Sequence, residues 1–345
     1  MYKTRESTRT ANKPTRDDVA REANISGATV SRVLSGRSDL AISPETRARV
    51  IEAAEKLGYR PNPAARALMT GRSGLVGFWM SLEYSRYRGQ VLDQMRGLLS
   101  GTDLTIAVTD VDVEYKSDHS FDRALRVPAD GIIAFDNSAS VEVFGREHDR
   151  LAPNMPFVSM GAYWSEAQSF VGVDLRSGAD EAMDHLLSTG RKRIAYMAPW
   201  NSDLLGSGPR YDAYITKMRD AGLDRLVISA GSAQLAGVAE SLAHYFEDHP
   251  VPEAIFCMND DLAISSAFAL QRLGYRTGVD VALVGFDGIE ETEQCPVPIT
   301  TIRQPIEEMC ALTYEFLQAQ LDDPSAPLQQ RILKPKLVIR ESTQG

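Results

Sequence analysis

The stretch TRDDVAREANISGATVSRVL (Thr15–Leu34) predicts two short helices joined by a tight turn. Thr15 is a favoured N-cap residue and forms a near capping box with Asp18, so the first helix begins here. Asn24–Ile25 predicts the turn, and Ser26 is the expected cap of the second helix. Apolar residues recur at helical spacing in both halves, so the two helices are expected to pack together. The pattern is a helix-turn-helix in an all-α domain.

The second helix keeps a face of small side chains with one long cation. Its members are Ser26, Gly27, Ala28, Thr29, Ser31 and Arg32. Such a face fits the major groove of DNA, where Arg32 can bind O6 and N7 of guanine and the hydroxyls can reach phosphates or base edges. The same pattern also fits a solvated surface on a small helical bundle. The helix alone therefore leaves DNA binding open.

A third helix and a very short fourth helix follow. Ser43 and Pro44 are suited to begin the third helix, and Gly58 is suited to end it. Its predicted buried stripe comprises Val50, Ile51, Ala54 and Leu57. Asn62 and Pro63 begin a helix that is too short to be stable alone. That helix must receive contacts from outside its own segment.

Charge is divided unevenly along the 345 residues. Residues 1–73 carry 14 Lys and Arg against 8 Asp and Glu, a net charge of +6, whereas the remainder carries 23 against 39, a net charge of −16. A basic head on an acidic body places the field that attracts phosphates at one end of the chain. We interpret residues 1–13, which are polar and basic, as a disordered arm able to touch a DNA backbone.

From Gly74 onward, strand-like runs alternate with helical runs. The strand-like runs are Gly74–Met80, Leu104–Asp110, Gly131–Phe135, Phe157–Met160, Arg193–Ala198, Leu226–Ser229, Ala254–Met258 and Ala282–Phe286. This alternation is typical of open, mainly parallel sheets covered by helices on both faces. Ligands of such sheets bind beyond the carboxyl ends of the strands.

Polar or aromatic residues follow several of these strands. They are Ser81, Tyr84, Tyr87, Asp136, Trp200, Asn259 and Asp287. Taken singly, each is more often an ordinary loop residue or helix cap. As a set they predict one polar crevice.

Three runs carry a family resemblance. They are DVAREANISGATVSRVLSG, SPETRARVIEAAEKLGYRPNPAARAL and NDDLAISSAFALQRLGYRTGVDVALVGFDG, the last followed by PITTIRQP. From about Pro14 onward the chain resembles the lactose-repressor (LacI/GalR) family of bacterial transcription regulators. The resemblance implies an N-terminal all-α helix-turn-helix DNA-binding domain with a hinge helix, followed by an α/β two-lobed effector domain like the periplasmic binding proteins. It also implies a homodimer on a palindromic operator, with no cofactor, and predicts a repressor.

The resemblance sets the expected domain boundaries. The parts are residues 14–60 for the helix-turn-helix domain, 61–73 for the hinge helix and linker, 74–173 with 302–327 for the first lobe, and 174–301 with 328–345 for the second lobe. The chain is expected to cross between the lobes more than once. Its last strand, Arg331–Ile339, is expected in the second lobe.

The family places the second helix in the major groove and paired hinge helices in the minor groove. The implied DNA contacts are Thr15, Ser26, Gly27, Ala28, Thr29, Ser31, Arg32, Tyr59, Asn62, Ala65, Leu68 and Met69. Leu68 matches the hinge leucine that wedges between the central base pairs. Gly27 and Ala28 stand where relatives choose bases, yet neither side chain donates a hydrogen bond, so direct reading there is limited. The loop at residues 35–42 is two residues longer than is usual in the family.

The family's effector contacts match residues of the predicted crevice. Arg210 matches an arginine that grips the ligand, Asn259 and Asp287 match a polar pair that takes hydroxyls, and Ser81 and Tyr87 match first-lobe contacts. Tyr84, Asp136 and Trp200 complete the expected effector set. These groups suit a sugar, with a purine or nucleoside as the alternative.

Other classes of protein fit the sequence less well. No GxxxxGK[ST] or G-x-S-x-G pattern and no nucleophile–base set is present, so an enzyme is not predicted. Cys257, Cys295 and Cys310 lack CxxC spacing and indicate reduced thiols, and the five histidines form no metal-binding pattern. A solute-binding protein of a transporter would share the core but has no use for residues 15–69. No window approaches the ~20 apolar residues of a membrane helix, and no secretory signal is found, so a cytosolic location is expected.

Overall fold

The computed structural model describes residues 14–34, 42–60, 67, 71–111, 124–136, 141–142, 155–199 and 208–345. Contacts divide the chain between Ser73 and Gly74 into two compact units. Each unit has its own hydrophobic core. The expected arm and most of the expected hinge helix lie outside the described residues.

The first unit contains the described helices α1 (Arg16–Ala23), α2 (Gly27–Leu34) and α3 (Pro44–Leu57). Thr15 and Asp18 form a complete capping box at the start of α1, because each side chain accepts the backbone N–H of the other residue. Asn24 ends α1 with a φ of 52°, a left-handed conformation that asparagine tolerates. The predicted helix-turn-helix is confirmed.

The buried stripe of α3 differs from the prediction at two positions, since Ile51 is exposed and Ala53, which was not predicted, is buried. Val50, Ala53 and Ala54 are buried against apolar residues of α1 and α2, whereas Ile51 is 43% exposed. Positions 50, 53 and 54 share one helical face, while position 51 is turned about 100° away from position 50. The prediction of a buried Ile51 is wrong because it followed side-chain type and not the helical period.

The second unit alternates strands with helices, as predicted. In chain order its elements are β1 (Leu75–Met80), α4 (Arg86–Leu99), β2 (Thr105–Asp110), β3 (Gly131–Phe135), β4 (Phe157–Gly161), β5 (Ser169–Val173), α5 (Leu175–Ser188), β6 (Ile194–Pro199), α6 (Pro209–Asp220), β7 (Leu226–Ala230), α7 (Leu235–Asp248), β8 (Ala254–Cys257), α8 (Asp260–Arg272), β9 (Ala282–Asp287), β10 (Thr300–Arg303), α9 (Ile306–Asp322), β11 (Gln330–Leu333) and β12 (Lys336–Val338). Short 3₁₀ helices span Glu290–Thr292 and Glu341–Thr343.

The strands form two six-stranded sheets, each of which is the centre of one lobe. The first lobe has the strand order β11-β5-β4-β3-β1-β2, and the second has β12-β10-β9-β8-β6-β7. Neighbouring strands are parallel except β10 and β12. β3, β4, β5, β8 and β9 are buried along their whole length, as expected for parallel strands covered on both faces.

The chain passes between the two sheets three times, after β5, after β10 and after β11. The single strand predicted at Arg331–Ile339 is wrong. Gln330–Leu333 pairs with β5 in the first lobe, whereas Lys336–Val338 pairs with β10 in the second. Pro335 lies between the two strands, and a proline has no N–H to continue a ladder. The third crossing therefore falls at residues 334–335 and not before residue 328.

Close packing of α5 on the second sheet produces a test of the fold. A Cβ added to the buried Gly178 would lie 2.7 Å from Ile302 Cγ2 and 2.7 Å from Pro335 Cγ. We expect Gly178→Ala to lower the free energy of unfolding by about 1–3 kcal/mol, because overpacking outweighs the better helix propensity of alanine. Urea unfolding monitored by circular dichroism measures the change.

Gly97 provides the matched control because it also lies in a helix, but nothing stands within 4 Å of an added Cβ. Gly97→Ala is expected to leave stability unchanged or to raise it by up to about 1 kcal/mol. Equal effects of the two substitutions would contradict the packing of α5 described here.

Candidate functional site

Several predicted site residues of the second unit follow strands that lie next to a reversal of the strand order. In the first lobe the chain runs from β1 outward to β2 and then returns to β3 on the other side of β1. In the second lobe β7 and β8 flank β6 in the same way. Ser81 and Asp136 follow β1 and β3, and Asn259 follows β8. Such switch points at the carboxyl ends of strands are the usual ligand crevices of open α/β sheets.

Arg210 lies among carboxylates from both lobes. Its guanidinium donates to the carbonyl oxygen of Met258 at 2.6 Å and stands 4.6 Å from the centroid of the Phe286 ring. Burial raises the pKa of Asp136 and of Asp287, and the positive charge of Arg210 opposes the shift at each carboxyl. One cation thus faces a carboxyl group from each lobe.

Both carboxyl groups are borne on unusual backbone. Among the residues that the structure describes, three non-glycine residues have positive φ: Asn24, Asp136 at 46° and Asp287 at 120°. Asn24 belongs to a helix end, whereas Asp136 and Asp287 each follow or end a strand at the crevice. Unfavourable φ values of this kind collect at ligand sites, where surrounding contacts hold them in place.

A chain of hydrogen bonds joins the lobes beside Arg210. The Tyr87 hydroxyl, on α4 of the first lobe, donates to Oε1 of Gln304 at 3.0 Å. Nε2 of Gln304 donates to Oδ1 of Asp287 at 2.9 Å. Burial raises the pKa of Tyr87 well above its ordinary value, and the charges of Asp136 and Asp287 act in the same direction. Tyr87 therefore stays a neutral donor between the lobes.

The remaining predicted residues have other contacts in this arrangement. Oδ1 of Asn259 accepts the N–H of Leu262 at 2.9 Å and so caps α8. The Ser81 hydroxyl accepts the N–H of Glu83 at 3.3 Å. Tyr84 is 71% exposed, and its ring centroid lies 5.6 Å from the guanidinium carbon of Arg86. Trp200 lies outside the described residues.

Sequence reasoning missed three residues of this site. Gln304 forms the bridge between Tyr87 and Asp287. Tyr163 lies close enough to Asp136 and Arg210 for both of their charges to act on its pKa. The positive charge of Arg88 opposes the rise in the pKa of Asp136. Tyr163 follows β4, so the rule that selected Asp136 and Asn259 would also have found it. Gln304 stands in the quoted motif PITTIRQP, but a bridge between lobes has no local sequence signal.

Asp260 holds together the segments that form the second-lobe half of the crevice. Its carboxylate accepts the N–H groups of Gly288 at 2.6 Å and Ile289 at 2.9 Å, and the hydroxyl of Thr301 at 2.6 Å. The residue is completely buried. Burial raises its pKa to about 6, although these donors favour the charged form. The network fixes the start of α8 against the end of β9.

The exposed face of the first unit agrees in part with the sequence prediction. Ser26, Ala28, Ser31 and Arg32 are exposed, while Gly27, Thr29 and Tyr59 are half-buried. The Ser26 hydroxyl accepts the N–H of Thr29 at 3.2 Å, as expected of a cap. A Cβ on Gly27 would lie 3.2 Å from Nε of Arg16, so the glycine also allows α1 and α2 to approach. Asn62, Ala65, Leu68 and Met69 lie outside the described residues.

No helix of the described residues is long and apolar enough to cross a membrane. Among the same residues, no cluster of three or more His, Cys, Asp or Glu side chains is arranged to hold a metal ion. The described cysteines are all buried thiols.

A helix-turn-helix unit followed by a two-lobed α/β unit with a polar crevice defines the class of ligand-sensing DNA-binding transcription regulators. The family model "Bacterial regulatory proteins, lacI family" matches residues 15–62, and the model "Periplasmic binding protein-like domain" matches residues 183–343. In its N-terminal part the chain is therefore similar to the lacI family of bacterial regulatory proteins. Its members are transcription regulators and not enzymes.

Individual proteins resemble the chain over nearly its whole length. The ribose operon repressor of Halalkalibacterium halodurans is 27% identical over 329 residues, which cover 95% of this chain and 96% of the relative. The crystal structure of a LacI-family transcriptional regulator from Silicibacter pomeroyi is 25% identical, with a TM-score of 0.79 and coverage of 96% of this chain and 100% of that chain. The lac repressor dimer bound to operator and the anti-inducer ONPF is 21% identical, with a TM-score of 0.76 and coverage of 97% and 100%.

The raised pKa of Asp260 predicts a pH effect on stability. Its pKa is about 6 in the folded chain and ~3.9 for an unperturbed aspartate, so the folded state binds the extra proton between these values. This contribution to the unfolding free energy is fully present below pH ~4 and is lost as the pH rises through ~6. Urea unfolding at several pH values should show Asp260→Asn gaining stability relative to the native chain across that window.

Asp280 provides the control, because its bonds to Arg276 lower its pKa to about 2. The difference in unfolding free energy between Asp280→Asn and the native chain should change little between pH ~5 and ~7, because the Asp280 carboxyl is nearly deprotonated there in both the folded and the unfolded state, whereas Asp260 still titrates in this range. If the difference in unfolding free energy between the native chain and Asp260→Asn is also constant with pH, Asp260 does not titrate as described.

Proposed function

We propose that the chain is a repressor that binds a palindromic operator as a homodimer and is controlled by a sugar-like effector in the crevice between the lobes. The observation that carries the effector assignment is the pair Asp136 and Asp287, one from each lobe, held at positive φ around Arg210. Carboxylates accept hydrogen bonds from adjacent hydroxyls, and a guanidinium donates to ring or hydroxyl oxygens. Acceptors grouped around one cationic donor suit a polyhydroxylated ring.

Control follows from the position of these groups on different lobes. A ligand that touches both lobes binds one lobe arrangement better than another and therefore shifts the population towards it. A differential affinity of about 1.4 kcal/mol changes the equilibrium tenfold. The first lobe begins immediately after the linker at residues 61–73, so the change has a covalent route to the DNA-binding unit.

Two relatives support this proposal. One relative is named as the repressor of a ribose operon, and a structural relative holds operator DNA as a dimer. Purines and nucleosides are the alternative effectors. The two classes are separated by adding sugars, sugar phosphates and nucleosides one at a time and measuring the thermal midpoint.

Arg210 provides the test of the effector site. A ligand at 100 times its dissociation constant should stabilise the native chain by roughly 2.7 kcal/mol, which raises the thermal midpoint. We expect Arg210→Ala to abolish this rise, because the cation opposite Asp136 and Asp287 is lost. Binding of operator DNA without effector should remain.

Arg219 is the matched control, since it lies on the same helix and pairs with Asp220 at the surface. Arg219→Ala should retain the full thermal response. If Arg210→Ala also responds normally to the ligand, Arg210 does not belong to the site. If no compound in the panel raises the midpoint of the native chain, the sugar and nucleoside assignments both fail.

Arg32 provides the test of DNA reading. An operator is first selected from random duplexes with the native protein, and dissociation constants are then measured by fluorescence anisotropy. We expect Arg32→Ala to weaken operator binding by about 1–3 kcal/mol, or about 5- to 150-fold, and to relax the sequence preference at one base pair.

Arg21→Ala removes the same charge from α1, where Arg21 is exposed and pairs with Asp18. It should cause a smaller loss and leave the sequence preference intact, because a charge near phosphates acts without regard to sequence. Equal losses with unchanged preference in both variants would remove Arg32 from base recognition.

A further inference from the structure

The starts of two helices from different lobes lie against each other beside the crevice. α4 of the first lobe begins at Arg86, and α8 of the second lobe begins at Asp260. The carboxylate of Asp261 accepts the backbone N–H of Arg86 at 3.2 Å through Oδ2, and Oδ1 forms a short contact with Nη1 of the same arginine. One side chain of the second lobe thus binds both the backbone and the side chain of one first-lobe residue.

A second acidic residue extends this contact. Glu291, in the 3₁₀ helix of the second lobe, has Oε1 at 3.8 Å from Nε of Arg86. Its Oε2 accepts from Nε2 of Gln90, one turn further along α4, at 3.5 Å. Both carboxylates belong to the second lobe, and both of their partners belong to α4.

The position of Asp261 distinguishes the contact from an ordinary surface ion pair. Its side chain is only 8% exposed, and that of Arg86 is 34% exposed. Arg86 is the first residue of α4, so its N–H has no acceptor within the helix, and the N-terminus favours a negative charge. The N-cap Ser85 accepts the N–H of Arg88, not that of Arg86. Asp261 therefore completes the capping of α4 from the opposite lobe.

We propose that Asp261 and Glu291, with Arg86 and Gln90, form a latch that stabilises the closed arrangement of the lobes through the protein's own side chains. Opening separates α4 from α8 and returns the Arg86 N–H, its guanidinium and two carboxylates to water. Because water solvates all of these groups, opening remains accessible. The strength of the latch sets how much more tightly an effector must bind one lobe arrangement than the other in order to shift the equilibrium. This consequence rests on the effector crevice proposed above.

The test measures lobe separation directly in the full chain, without DNA or effector. Asp103 and Asp224 are exposed, and they lie just before β2 and β7, the sheet edges farthest from the chain crossings. Substituting each by cysteine allows spin labels to be attached, because the native cysteines are buried. Labelled chains diluted into unlabelled chains report the intramolecular distance by double electron–electron resonance.

Two variants break the latch from opposite lobes, Asp261→Asn and Arg86→Gln. We expect each to raise the ratio of the longer-distance to the shorter-distance population about tenfold, which corresponds to about 1.4 kcal/mol. High salt should produce a weaker shift in the native chain, because part of the latch is exposed to screening.

Arg96→Gln is the matched control. Arg96 also lies on α4 but pairs with Asp93 of the same helix, so its loss should leave the distance distribution unchanged. Unchanged distributions in both latch variants, with native circular dichroism, overturn the proposal. Such a result would leave the outcome of the operator and ligand tests unaffected. Conversely, if those tests fail but the latch variants increase the longer-distance population, the latch proposal still stands.

Discussion

The buried carboxylate of Asp260 is the constraint on which the second-lobe half of the crevice depends. It accepts three hydrogen bonds and so joins the end of β9, the start of α8 and strand β10. Gly285 makes this possible, because a Cβ at that position would lie 2.1 Å from the carboxylate. The residues on either side of Asp260 then acquire fixed and different tasks: Asn259 caps α8, and Asp261 reaches Arg86 of the other lobe. One buried carboxylate thus orients both the cap of α8 and the contact with the opposite lobe.

Local patterns were sufficient to predict the elements that carry function. The cap residues Thr15 and Ser43 begin helices where expected, since a cap is a bond between neighbours in sequence. The predicted strands exist, because fully buried parallel strands give continuous apolar runs. Asp136 and Asp287 were identified by position after a strand, and the structure brings them to one cation.

What the sequence did not reveal depends on contacts between distant segments. Gln304 bridges Tyr87 and Asp287 across 217 and 17 positions of the chain, and nothing in its neighbourhood indicates this. The short strands on either side of Pro335 are predicted as a single strand, because periodicity does not show which sheet a strand joins. Ile51 is exposed for a simpler reason, because its angular position on α3, and not its hydrophobicity, decides its burial.

The three crossings between the sheets also bear on how the chain is made. Residues 330–338 supply one edge strand to each lobe, β11 beside β5 and β12 beside β10. During synthesis five strands of the first sheet emerge early, but more than 150 further residues must be translated before its sixth strand, β11, is available. The last strand of the second sheet, β12, follows only a few residues later. Neither lobe can therefore finish folding on the ribosome ahead of the other. Assembly of the sensor is held back until almost all of it has been translated, whereas the small helix-turn-helix unit, whose contacts are local, is free to fold first.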